Sequence, residues 1–197
     1  MRSRNLAFGL AAAALAAGCA QMPASAPAKQ ARPDVAFGQP ISEADIAPWN
    51  VDIRTPDGMG LPAGRGTVAE GKTLYDAQCA ACHGADAKGG PVYGTMVGGI
   101  GSFKTDTRVL TPGSMYPYAP ILFDYIRRAM PMNKPMTLSP NEVYALSAYL
   151  LNLNGLIPAD AVMDQNSLAR VQMPNRNGFI VDDRPDAKAV RCMTNCL

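Results

Sequence analysis

The 197-residue chain holds one histidine and one tryptophan, and aromatic residues make up 7% of it. A single histidine excludes sites built from several imidazoles, including the mixed His/Cys zinc centres that need two of them. So few aromatics leave a core short of bulky side chains, and another source of apolar mass must help to fill it. Charge is sparse as well, at 17%. The apolar run Leu6–Ala17 is too short for a bilayer span, and no other run is long enough. Arg2 and Arg4 precede it and small residues follow, the pattern of an export signal over residues 1–19. Without those two arginines the 18 Lys+Arg become 16, against 16 Asp+Glu. A net charge of zero gives no reason to expect nucleic acid as a partner.

Proline (17) and glycine (18) are plentiful, which favours long ordered loops over dense secondary structure. Residues 20–40 are rich in Ala, Pro and small polar side chains and read as a flexible tether. Residues 41–66 show neither helical nor strand period and read as an irregular N-terminal arm, with Trp49 as its anchor. Residues 67–155 form the helical domain. Thr67 and Glu70 make a capping box, followed by Val68, Gly71, Tyr75, Cys79 and Cys82 on one helical face. A second helix is predicted over about 120–129, with Leu122, Tyr125, Ile126 and Ala129 as its stripe. The third starts at Ser139, Pro140 and Glu142, carries Val143, Leu146, Leu150 and Leu153 inward, and stops at Gly155. Residues 156–197 have weak periodicity and read as an irregular C-terminal arm. The predicted class is all-α.

Four of the five cysteines form close pairs. Cys79-Ala80-Ala81-Cys82-His83 has the C-x-x-C-H spacing of a c-type haem attachment site. Residues three apart on a helical turn point the same way, so both sulfurs reach the two vinyl groups of one porphyrin. His83 then lies beneath the iron as proximal ligand. A thioredoxin-like pair wants a preceding strand, and here a helix is predicted; half of a zinc site needs further ligands nearby. One such motif predicts one covalent haem c, attached outside the cytoplasm, which agrees with an export signal and a periplasmic location.

With His83 alone, this chain cannot supply two histidine ligands. Met130, at the end of the second helix, is the leading distal ligand, with Met132 and Met136 on the same loop as alternatives. His/Met ligation fills both axial positions and suits electron transfer. The carbonyl of Pro91 is a candidate acceptor for the His83 ring N–H, against a plain Gly-Pro turn. Arg127 or Arg128 is a candidate partner for a haem propionate, against a solvated helix end. Tyr116 and Tyr118 are possible propionate donors.

Cys192 and Cys196 have no histidine after them and are candidates for a short disulfide, or for pairing with a partner's thiol. Cys19 follows Leu15-Ala16-Ala17-Gly18, which resembles a lipoprotein cleavage site with Ala16 where Leu is usual. Lipid there would tether the protein to a membrane; cleavage after Ala26 would leave it soluble.

From Thr67 to Leu153 the chain resembles class I cytochrome c, on Gly71-Lys72-x-x-Tyr75, Cys79 through Gly84, Gly90-Pro91, Met130-Pro131 and Tyr149. The resemblance implies a compact helical fold around the haem, with Gly71 and Tyr75 packed across the last helix at Tyr149. A narrower likeness covers most of the mature chain. Ala47-Pro48-Trp49-Asn50, Tyr116-Pro117-Tyr118-Ala119, Asp124 through Pro131, Glu142 through Leu146 and Met173 through Phe179 are similar to the SoxD cytochrome subunits. These partner the molybdenum-containing SoxC in sulfane dehydrogenase of sulfur oxidation, and related cytochromes serve sulfite dehydrogenases. That resemblance implies a molybdenum-cofactor subunit as electron donor, wrapped by the two arms, and a soluble cytochrome c as acceptor. The competing expectations are a free-standing electron carrier and a haem sensor or catalyst with an open iron site.

Overall fold

The computed structural model describes residues 38–184. The chain divides into two compact units between Asp45 and Ile46. In the first, the Ser42 hydroxyl and backbone N–H donate to the Asp45 carboxylate, at 2.7 and 2.9 Å, at the start of the one-turn helix α1 (Glu43–Ile46). In the second, the elements in order are β1 (Arg65–Thr67), α2 (Val68–Gln78), α3 (Ala80–His83), a 3₁₀ turn (Ser102–Lys104), α4 (Pro112–Met115), α5 (Pro120–Ala129), α6 (Pro140–Leu153), β2 (Val162–Asp164) and a second 3₁₀ turn (Leu168–Arg170). Among the described residues no helix is long and apolar enough to cross a membrane.

The helix starts follow from local chemistry. Thr67 and Glu70 cap α2 reciprocally, and Ser139 and Glu142 do the same for α6. A third reciprocal cap, Thr111 with Ser114, opens α4 and was not read from the sequence. Helix α6 is the centre of the molecule. Every residue from Val143 to Leu151 is buried, so the helix is enclosed all round instead of showing one apolar stripe. Its buried serine, Ser147, donates back to the Val143 carbonyl at 2.7 Å.

Helix α2 crosses α6 at very close range. A Cβ on Gly71 would fall 1.9 Å from the Ala145 carbonyl oxygen and 2.8 Å from Tyr149 Cβ. Glycine is required here by backbone approach, and the approach brings the Tyr75 and Tyr149 rings to 5.3 Å. Helix α5 buries Leu122, Phe123 and Ile126 against α6, with Phe123 and Tyr144 rings 4.5 Å apart. Of the predicted stripe, Leu122, Tyr125 and Ile126 line one cavity, and Phe123, which the stripe left out, is buried as well because Tyr144 offers its ring a partner.

The arms differ from the expectation in two ways. Arg65–Thr67 and Val162–Asp164 pair antiparallel, Gly66 opposite Met163, so the ends of the two arms nearest the domain form a small ladder. The arms also belong to the domain's own core. Met163, Leu168, Val171 and Met173 of the C-terminal arm are buried in it. Buried Asn175 donates to the Met115 carbonyl at 2.7 Å, and Arg176 lies over the Tyr118 ring at 5.0 Å. In the N-terminal arm Trp49 is 78% exposed and anchors nothing, while Val51 is the buried residue. Tyr144, itself buried, donates to the Pro62 carbonyl at 2.8 Å. The buried arm residues are committed to this chain's own core, while Ile41, Trp49, Phe179, Ile180 and Val181 of the arms stay exposed.

Candidate haem site

Helix α2 ends at Gln78, before the C-x-x-C-H run. Cys79 breaks the direction of the chain (φ −117°, ψ −36°), and Ala80–His83 forms its own turn. Across this junction Tyr75, Cys79 and Cys82 still line one cavity. The Tyr75 hydroxyl donates to the Gly84 carbonyl at 2.8 Å, which fastens the end of the motif back onto α2. The following loop folds tightly beneath it: a Cβ on Gly90 would fall 2.3 Å from the Cys82 carbonyl oxygen.

These residues open onto a cavity of about 720 Å³. This lies within the roughly 300–1,000 Å³ usual for small-molecule and cofactor sites. Its walls come from Tyr75 and Gln78, Cys79 and Ala81–His83, Tyr93–Met96, Leu110–Pro112, Met115 and Tyr116, three residues of α5, Met130–Asn133, Leu138, and Leu146 and Leu150 of α6. Among the described residues no Lys, Arg, Asp or Glu lines it. The missing bulk inferred from the scarcity of aromatics corresponds to this space.

Four observations show that a haem fits. Cys79 and Cys82 are not joined to each other. Burial, with a smaller contribution from Cys82, pushes the Cys79 thiol up to about 11. A thiol–disulfide catalyst needs the opposite shift. His83 Nδ1 is a buried nitrogen without a hydrogen-bond partner, and burial pulls the ring below the usual imidazole value, so it is neutral and able to ligate. Finally, the cysteines and His83 do not converge as a zinc set would: among the described residues no three His, Cys, Asp or Glu side chains form a metal-binding group.

The three candidate distal methionines separate clearly. Met130 is the C-terminal cap of α5, half-buried, packed on the core and part of the cavity wall. Met132 is 66% exposed and sits at the cavity edge; Met136 is 46% exposed and outside the lining. Met96 and Met115 also line the cavity and were missed, because neither lies near a recognised helix end.

Two expectations fail. The Pro91 carbonyl does not receive the His83 ring N–H: Nδ1 has no partner, and Pro91 is exposed and outside the cavity wall. The loop instead closes through Gly90 N–H to the Tyr93 carbonyl at 2.9 Å, which turns Pro91 outward. Arg127 does not line the cavity either. Arg128 is the structural member of that pair, bonded to Asp124 (2.8 Å), Asp52 (3.0 Å) and the Val51 carbonyl (3.0 Å). Neutral groups remain at the wall; among them Tyr116 is half-buried there, whereas Tyr118 is covered by Arg176. Cys19, Cys192 and Cys196 lie outside the described residues.

Residues 68–154 match the cytochrome c family model, and with the geometry above the chain belongs to the cytochrome c family. It is a class I c-type, electron-transfer cytochrome. Within that family it resembles SoxD: it is similar to a chain in the crystal structure of the sulfane dehydrogenase SoxCD from Paracoccus pantotrophus, with 37% identity, a TM-score of 0.70, and 82% of this chain and 81% of that chain covered. The chain matches no curated protein sequence.

Proposed function

We propose that this protein is the electron-transfer cytochrome subunit of a periplasmic molybdenum dehydrogenase acting on sulfane sulfur or sulfite, and that it passes single electrons to a soluble cytochrome c. The observation that carries this reading is the extent of the likeness to the SoxCD chain. It covers 82% of this chain, far beyond residues 68–154, and so takes in parts of the arms.

A covalent haem would supply a one-electron iron couple in this cavity. Cys79 and Cys82 would hold it by thioethers, and His83 and Met130 would ligate its iron. The largely apolar wall would limit access of water to the group and suit electron exchange without substrate binding. The neutral wall leaves propionates to solvent, to Tyr116 and to the other uncharged polar groups. Residues 1–19 would direct export, and lipid at Cys19 would hold the protein to a membrane.

The burial of the arms in this chain's own core favours a second reading, a free-standing carrier, since the arms then need no other subunit to explain them. Isolation of the holoprotein from its host separates the two. The first reading expects co-elution with a larger protein, molybdenum in proportion to haem, and haem reduction by a sulfur-compound substrate. Elution alone at every salt concentration, without molybdenum, would establish the carrier.

A further inference from the structure

Tyr93 is the residue whose role neither the family likeness nor the cavity shape explains. Its ring stacks on the His83 imidazole, with centroids 5.0 Å apart and planes 22° apart. Its hydroxyl donates to the Met132 thioether at 3.1 Å, across 39 residues of sequence. Both anchoring segments are themselves held. The Tyr93 carbonyl accepts from Gly90 N–H at 2.9 Å, and Thr95 Oγ1 donates to the Val97 carbonyl at 2.9 Å. On the other side Lys134 N–H donates to the Pro131 carbonyl at 2.8 Å, closing a turn around Met132.

We infer that Tyr93 is a positioning residue that decides which methionine reaches the iron. Met130 and Met132 are two residues apart on one loop, and both line the cavity. A thioether is a soft, flexible ligand on a side chain with three rotatable bonds. Nothing in the identity of the residues distinguishes the two. The Tyr93 hydroxyl engages the sulfur of Met132 and holds it at the mouth, which leaves Met130 as the side chain free to turn inward. The same ring braces one face of His83, so a single residue ties the proximal loop to the distal loop. This rests on the haem reading above.

The test uses holoprotein carrying Tyr93→Phe, which keeps the stacked ring and removes only the hydroxyl, alongside Met132→Leu and the double variant. Proton NMR of the reduced protein reads the ring-shifted methyl of the axial methionine. The wild type should show one such methyl, and Y93F a second set from Met132. The double variant should return to one set, which a merely structural role would not predict. A single unchanged methyl in Y93F would overturn the inference while leaving the functional reading intact. A wild type with no methionine methyl in the shifted region would overturn the His/Met site itself, and this inference with it.

Discussion

Replacing Gly71 by alanine sets two effects of known sign against each other. Gly71 is helical and does not need a left-handed backbone, so alanine should gain about 1 kcal/mol of helix propensity. Against this, the new Cβ would lie 1.9 Å from the Ala145 carbonyl oxygen, where ordinary contact begins near 3.4 Å. The helices α2 and α6 must part by roughly the 1.5 Å difference, because the Ala145 carbonyl belongs to backbone that cannot rotate away. Even a 0.5–1 Å gap forfeits about a quarter to a half of each dispersion contact along the seam. Overpacking of a dense core costs about 1–3 kcal/mol, and a backbone clash belongs at the upper end. The net expectation is destabilisation of about 2 kcal/mol, a fall in Tm of about 8 °C for a domain of this size. Thermal unfolding of the holoprotein, followed by far-ultraviolet circular dichroism and Soret absorbance, reads it. Ala69→Gly, at an exposed position of the same helix, calibrates the propensity alone at about 1 kcal/mol of loss. If G71A melted at or above the wild-type temperature, propensity would have won and the close crossing would be wrong.

Other expectations follow from the site and the arms. Asn175→Ala leaves the Met115 carbonyl without its arm partner and should cost about 1–3 kcal/mol; limited proteolysis should then cut the arm after residue 156 faster than in wild type, and equal resistance would show that the arm is fastened elsewhere. Met130→Leu should abolish the methionine-to-iron absorption band of the oxidised holoprotein, whereas M132L and M136L keep it; loss of the band in M132L instead would reassign the ligand. In the N-terminal arm, hydrogen bonding from Arg54 holds the Asp57 carboxyl down at about 2, below its ordinary 3.8. Its contribution is therefore present above the unfolded value and lost as pH falls from 3.8 toward 2. Both side chains are exposed, so the effect should be local. Protection factors for the Gly58 and Met59 amides should stay level from about pH 8 to 5 and drop between about 4 and 2; a drop above pH 5 would assign the turn's stability to some other group.

Much of the fold was readable in short stretches. Thr67 with Glu70, and Ser139 with Glu142, mark helix starts because a cap needs only residues three apart. The cap at Thr111 was missed because its partner is Ser114, not the Glu or Gln that the pattern leads one to seek. The break at Cys79 also escaped notice. Val68, Gly71, Tyr75, Cys79 and Cys82 keep helical spacing, and only the folded chain shows that the helix stops at Gln78 and restarts at Ala80. Periodicity found Leu122, Tyr125 and Ile126, which line the cavity, but not Phe123, whose burial depends on the distant Tyr144 ring.

The sequence by itself determined the chemistry of attachment: two thiols and an imidazole within five residues, in a chain with no second histidine. Features of that kind depend on neighbours along the backbone, and covalent spacing carries them. Tertiary structure decided which methionine lines the cavity, which arginine is bound elsewhere and where the arms lie. Each of those turns on residues far apart in the chain, such as Tyr93 and Met132 at a separation of 39 or Met115 and Asn175 at 60. Their meeting depends on how α2, α5 and α6 pack, and no local spacing encodes that distance.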